Sequence, residues 1–168
     1  MSKILNIGCG NESYGTDRID FIKTDTTTMV HDIEKGLPYE SEIFDEVYSK
    51  SVLEHIRNLK NLIDEIYRVM KVGGKFWVRT DYAGYLPMYI FSSHEHNAML
   101  KISYDTEGDN HYHLFVESHL IKLFNKFKNL EVSYFYGGRN KFYNFLLRLL
   151  PYKLGAFHIE IKGEKWVK

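Results

Sequence analysis

The sequence is poor in cysteine: Cys9 stands alone among 168 residues, so no internal disulfide can form and a reducing compartment is expected. It also lacks a charge excess. The 22 basic residues are matched by 22 acidic ones, which disfavours a dedicated nucleic-acid binder, since phosphate contacts need a cationic surplus. No apolar run is long enough to cross a bilayer, and no charged-then-apolar leader opens the chain, so the expected location is cytoplasmic. Repeats and low-complexity linkers are missing too. What is present is apolar surface: 44% hydrophobic and 15% aromatic residues suffice for one packed core, hence a single domain over 1–168.

Strands are predicted at 3–7, 15–20, 28–31, 43–48, 74–80, 130–136 and 156–162, where β-branched and aromatic residues lie between Gly, Asp, Asn or Pro. Leu59, Leu62, Ile63, Ile66 and Met70 fall at helical spacing, with Gly73-Gly74 expected to end that helix. A second helix is predicted at 117–127, with Leu120, Leu123, Phe124 and Phe127 on one face. Strand, helix, strand over 43–80 is a βαβ unit, which implies a parallel sheet with right-handed crossovers. The first crossovers are too short for helices. About seven extended residues reach roughly 23 Å, just enough to return along a strand of roughly 15–20 Å. Helical cover over the early strands is therefore expected to be reduced.

That shortness bears on "LNIGCG" at 5–10. A glycine turn after a first strand usually leads into a helix whose N-terminus receives a pyrophosphate. Here the third glycine and the helix are both missing. A phosphate-free nucleoside such as S-adenosylmethionine loses little by that absence. Asp20, at the end of the second strand, could accept both ribose hydroxyls, with Asp17 as its rival. Asp32, after the third strand, could accept from an adenine amino group or simply form a turn.

With "LNIGCG", "VHDIEKGLPYESEIFDEVYSKSVLEHI" and "IDEIYRVMKVGGKFWVRTD" in this order, the chain resembles the class I S-adenosylmethionine-dependent methyltransferases, in particular compact members with a short glycine-loop connection. The likeness covers residues 3–81 by motif and the remainder by order of elements. It implies an α/β, Rossmann-like, mostly parallel seven-stranded sheet with an antiparallel last strand. It also implies that Gly8 and Gly10 line the methionine end, Asp20 holds the ribose, and Asp32 and Ile33 sit at the adenine. Ser49 and Lys50, with Ser51, would line the transferable methyl. Asn6 departs from the pattern, standing where many relatives have an acid.

Methyl transfer needs alignment of the acceptor and, for a hydroxyl, a base. Such groups gather beyond the carboxyl ends of the strands, which nominates Lys50, Glu54 and His55 after the fourth strand and Asp81 and Tyr82 after the fifth. Asp81 is the preferred acceptor contact, whereas Glu54 and His55 could instead cap or solvate a short helix. His113, or His111, could face substrate or pack in a loop. The pairs His94/His96 and His111/His113 are a loose pattern for a metal, and none is expected. Residues 82–115 read as an acceptor lid. Residues 137–154 form a basic amphipathic insertion, with Phe142, Phe145, Leu146, Leu149 and Leu150 on one face. Packing on its own domain or in a homodimer is favoured there over membrane contact.

The expected activity is methyl transfer to a small-molecule, saccharide or lipid-linked acceptor. The alternative is a non-catalytic cofactor-binding or assembly module of the same fold; nicotinamide chemistry is disfavoured by the missing first helix.

Overall fold

The computed structural model describes residues 2–85, 111–136 and 141–166. Its strands are β1 (Ile4–Ile7), β2 (Asp17–Asp20), β3 (Met29–Val30), β4 (Phe44–Lys50), β5 (Met70–Asp81), β6 (Lys128–Phe135) and β7 (His158–Glu164). They form one seven-stranded sheet in the order β3-β2-β1-β4-β5-β7-β6. Pairs from β3 through β5 are parallel, whereas β7 runs antiparallel between β5 and β6. The predicted mostly parallel architecture is what the chain adopts.

Among the described residues three α-helices accompany the sheet: α1 (Leu59–Val69), α2 (Glu117–Leu123) and α3 (Lys141–Arg148). Asn58 caps α1 by accepting from the Asn61 amide at 3.1 Å. Leu62, Ile63, Ile66 and Val69 are the buried stripe of α1. Together with Leu120 and Phe124 they pack on Leu5, Ile7, Ile19, Val47, Phe76, Val78, Ile159 and Ile161 of the sheet. Phe76 stacks on Phe124 with centroids 4.7 Å apart, and each such buried ring stabilises the fold by roughly 1.5–3 kcal/mol.

The helix stops earlier than Gly73-Gly74. Met70 is already extended (ψ 140°), fully buried and paired with Phe44, so the core draws the chain into β5 before the glycines. Those glycines lie inside the strand instead. Gly73 has φ +77°, and a Cβ on Gly74 would press on the carbonyls of Lys71, Asp45 and Phe44. The Gly73 amide donates to the Lys165 carbonyl at 2.8 Å, and the Lys165 amide donates to Gly74 at 2.9 Å.

Residues 8–16 and 21–28 connect the first three strands without a helix, as their length requires. α1 and α2 both lie on one face of the sheet. The opposite face carries an aromatic ladder: Tyr14 against Tyr48 at 4.9 Å, Tyr48 stacked on Trp77 at 4.5 Å, then Arg79 over Trp77 and Phe135. Among the described residues no α-helix packs over this ladder.

α3 buries a different side from the predicted one. Leu147 packs with Leu150, Tyr85, Leu114, Tyr136 and Phe157, while Phe145, Leu146 and Leu149 are exposed. The small cluster formed by the ends of β5, β6 and β7 takes Leu147 because it faces inward there. Phe142 lies outside the described side chains, and residues 86–110 of the expected lid, including His94 and His96, lie outside the described residues.

Candidate active site at the carboxyl edge of the sheet

Two groups of polar residues meet the carboxyl edge of the parallel strands. The first surrounds the glycine turn. Gly8 (φ +67°) and Gly10 (φ +50°) need left-handed backbone that a side chain disfavours. The Gly8 and Cys9 amides donate to the Ile19 carbonyl at 2.9 and 3.2 Å, locking the turn to β2. A Cβ at Gly8 would overlap Val52, so that glycine is demanded by packing; at Gly10 a Cβ would meet nothing within 4 Å.

Asp20 closes β2 at this edge, whereas Asp17 opens the strand at the far end. The Asp20 carboxylate is nearly buried and accepts from the Gly10 amide at 2.8 Å and the Ile22 amide at 3.0 Å. Thr24 and Thr26 hydroxyls donate to the Gly10 carbonyl at 2.6 and 2.8 Å. This threonine collar, unremarked in the sequence, holds the loop where a helix would otherwise stand. Asp32 caps the 3-10 turn Ile33–Lys35 through the Glu34 amide at 3.1 Å, and Ile33 packs against the core. The Ser49 hydroxyl is buried and donates to the Ile7 carbonyl at 3.3 Å. Lys50 reaches across to Glu12 of the glycine loop at 2.5 Å.

The second group gathers after β4 and β5. Glu54 follows β4 in the 3-10 turn Leu53–His55 and is only 1% exposed, so it is neither a solvated residue nor a free cap. It accepts from the Thr80 hydroxyl at 2.7 Å. Its carbonyl accepts the Tyr112 and His113 amides, which brings the 111–115 segment over the end of β5. Burial and then the nearby Asp81 charge push the Glu54 carboxyl up to about 7.

Asp81, 3% exposed, sits between two imidazoles, with His111 Nδ1 at 3.0 Å and His158 Nε2 at 3.5 Å. His55 meets His111 edge-on with centroids 4.4 Å apart, and His113 lies beside Phe115. Burial lowers His158 to about 4, against the pull of Asp81, so its ring is neutral at pH 7. The His113 Nε2 and His158 Nδ1 atoms are buried without hydrogen-bond partners.

His55, Asp81 and His113 are thus brought together as nominated, joined by Glu54 and His111. His158 was missed. No motif surrounds it; only the antiparallel register of β7, which sets it opposite Asp81, places it here. Among the described residues no group of His, Cys, Asp and Glu could hold a metal ion.

Comparison with known proteins follows the same lines. A methyltransferase-domain family model matches residues 15–78. The sterol 24-C-methyltransferase of Saccharomyces cerevisiae is 34% identical over 99 residues, an overlap of 56% of this chain and 21% of that protein. The chain therefore spans about a fifth of the length of this curated relative. Among solved structures, a Thermotoga maritima SAM-dependent methyltransferase, described as a possible histamine N-methyltransferase, superposes with TM-score 0.70 at 16% identity, covering 98% of this chain and 82% of that one. Phosphoethanolamine N-methyltransferase 2 of Haemonchus contortus, in complex with S-adenosyl-L-methionine, gives TM-score 0.66 at 17% identity over 99% of this chain and 49% of that one. The strand order and the matched family model agree: residues 15–78 match a methyltransferase domain, and the described sheet has the fold of solved SAM-dependent methyltransferases.

Proposed function

We propose that the chain transfers a methyl group from S-adenosylmethionine to a small-molecule, saccharide or lipid-linked acceptor. The observation that carries this reading is the convergence of a glycine turn, a strand-ending Asp20 and a buried carboxylate–imidazole cluster on one edge of one sheet. The relatives' own names, a sterol methyltransferase and a phosphoethanolamine methyltransferase, support a small or lipid-linked acceptor.

The residues fit the cofactor. Open space at Gly10 lets a ligand approach the backbone, and Asp20 uses two of its roughly four acceptor positions on amides, leaving the others for ribose hydroxyls. Gly8 and Gly10 shape the methionine end, Asp32 and Ile33 border the adenine, and Ser49 and Lys50 border the methyl. When bound, S-adenosylmethionine supplies a methyl group on a sulfonium leaving group. The chain's contribution is alignment of the acceptor and custody of its proton. Asp81 contacts the acceptor, His113 and His55 flank it, and Lys50, at the end of β4, is held towards the glycine loop by Glu12. The exposed Phe145, Leu146 and Leu149 suit contact with a second copy of the chain.

Calorimetric titration with S-adenosylhomocysteine tests the reading directly: saturable one-site binding is expected, and its absence would overturn it. Binding without methyl transfer across a broad acceptor panel would favour the non-catalytic module.

A further inference from the structure

The carboxylate–imidazole cluster has an unusual balance of charge. Glu54 and Asp81 are both more than nine-tenths buried. Among the described residues, no lysine or arginine forms an ion pair with either. Arg79 is held by Glu160, Lys50 by Glu12, and Arg57 turns to the Tyr112 hydroxyl. The groups facing the two carboxylates are the Thr80 hydroxyl from β5, His55 beside Glu54, His111 and His113 from the segment after residue 110, and His158 from β7. Asp81 Oδ2 accepts no hydrogen bond, although His111 Nδ1 lies 3.0 Å from it. The lone pairs of His113 Nε2 or His158 Nδ1 are equally available in one tautomer, both atoms being buried without partners.

A buried carboxylate is stable when a cation or several donors reach it. Among the described residues the two carboxylates are met by the Thr80 hydroxyl and by imidazoles but by no lysine or arginine, so no permanent cation balances them. Resting on the methyl-transfer reading above, we propose that the acceptor is an amine, bound as its ammonium ion against Asp81 and methylated on nitrogen. An alcohol of the same shape carries one donor and no charge, so it satisfies the cluster less well. An ammonium R–NH3+ gives one proton to the carboxylate pair and thence to solvent. The freed nitrogen lone pair then forms the N–C bond as the C–S bond breaks, and the C–S electrons stay on sulfur. Glu54, raised by burial and by Asp81, holds such a proton near neutral pH.

The test uses the full chain saturated with S-adenosylhomocysteine and matched probes at one pH: 2-phenylethylamine against 2-phenylethanol, and hexylamine against hexanol. Ligand-observed NMR reads their affinities. Each amine should bind at least about tenfold more tightly than its alcohol, the scale of one charge-assisted hydrogen bond. Asp81→Asn should erase that preference while leaving S-adenosylhomocysteine affinity unchanged. If that variant does not fold by circular dichroism, Glu54→Gln is read instead and should narrow the preference. Equal binding of amine and alcohol overturns the proposal, whether because an imidazolium at His111 already neutralises Asp81 or because neither probe binds. So does a preference that survives both substitutions. Loss of S-adenosylhomocysteine binding would instead bring down the methyl-transfer reading, and the amine comparison would then be read on the bare protein.

Discussion

At the residue scale, Asp20 and the two glycines of the turn carry separable demands. Asp20 serves the loop through the Gly10 and Ile22 amides and, in the proposed reading, the ribose through its remaining lone pairs. Asp20→Ala should weaken S-adenosylhomocysteine binding by about 1–3 kcal/mol, the usual scale for a charged acceptor, and calorimetry reads it. Unchanged affinity would remove Asp20 from the site. Gly8 and Gly10 look equivalent in sequence but are not. Gly8→Val would drive a side chain into Val52 at a positive φ, so thermal melts should show a loss of several kcal/mol, as for overpacking with backbone strain. Gly10→Ala meets no neighbour and should cost only about 1–2 kcal/mol of left-handed strain. Equal melting temperatures for the two variants would contradict the packing role of Gly8.

At the scale of elements, the junction of α1 and β5 depends on a lysine far away in sequence. Lys165 is 5% exposed, and its Nζ donates to the Met70 carbonyl at 2.8 Å and to Glu42 at 3.0 Å while lying over the Tyr67 ring. It satisfies the carbonyl left over where the helix ends and the strand begins. Lys165→Met keeps the apolar stem and removes the donor, so it should destabilise the fold by about 1–3 kcal/mol in chemical denaturation. No change would mean that water replaces the ammonium. Most elements were legible beforehand because their apolar periods are strong, as in Leu62, Ile63 and Ile66. The end of α1 was not, because Gly73-Gly74 signals a stop whichever element precedes it, and Met70 was drawn into the sheet by its pairing with Phe44.

For the whole molecule, the buried cluster couples folding to pH. Glu54 keeps its proton up to about 7 when folded but releases it near the ordinary 4.5 when unfolded. The native state therefore binds more protons across that window, and stability falls as pH rises through it. His158 acts in the opposite sense. The unfolded ring gains a proton below 6.5 and the folded one only near 4, so stability is lost as pH falls between those values. The two slopes oppose each other between 4.5 and 6.5, and above 7 the Glu54 cost stands alone. Glu54→Gln should match the parent near pH 5 and exceed it at pH 8 by about 3 kcal/mol, measured by denaturation at both values. A difference independent of pH would show that Glu54 is not held protonated by the fold.

By itself the sequence determined the order and character of the strands, the helix-free early crossovers, and the methyltransferase likeness of residues 15–78. These follow from local period, turn residues and chain reach, which are properties of neighbours in sequence. Only the tertiary structure decided that Glu54 is buried, that Leu147 rather than Leu149 faces inward, and that His158 stands opposite Asp81. Burial and cross-strand register arise from contacts between distant segments, and residues 81 and 158 share an environment only after β7 has added antiparallel to β5.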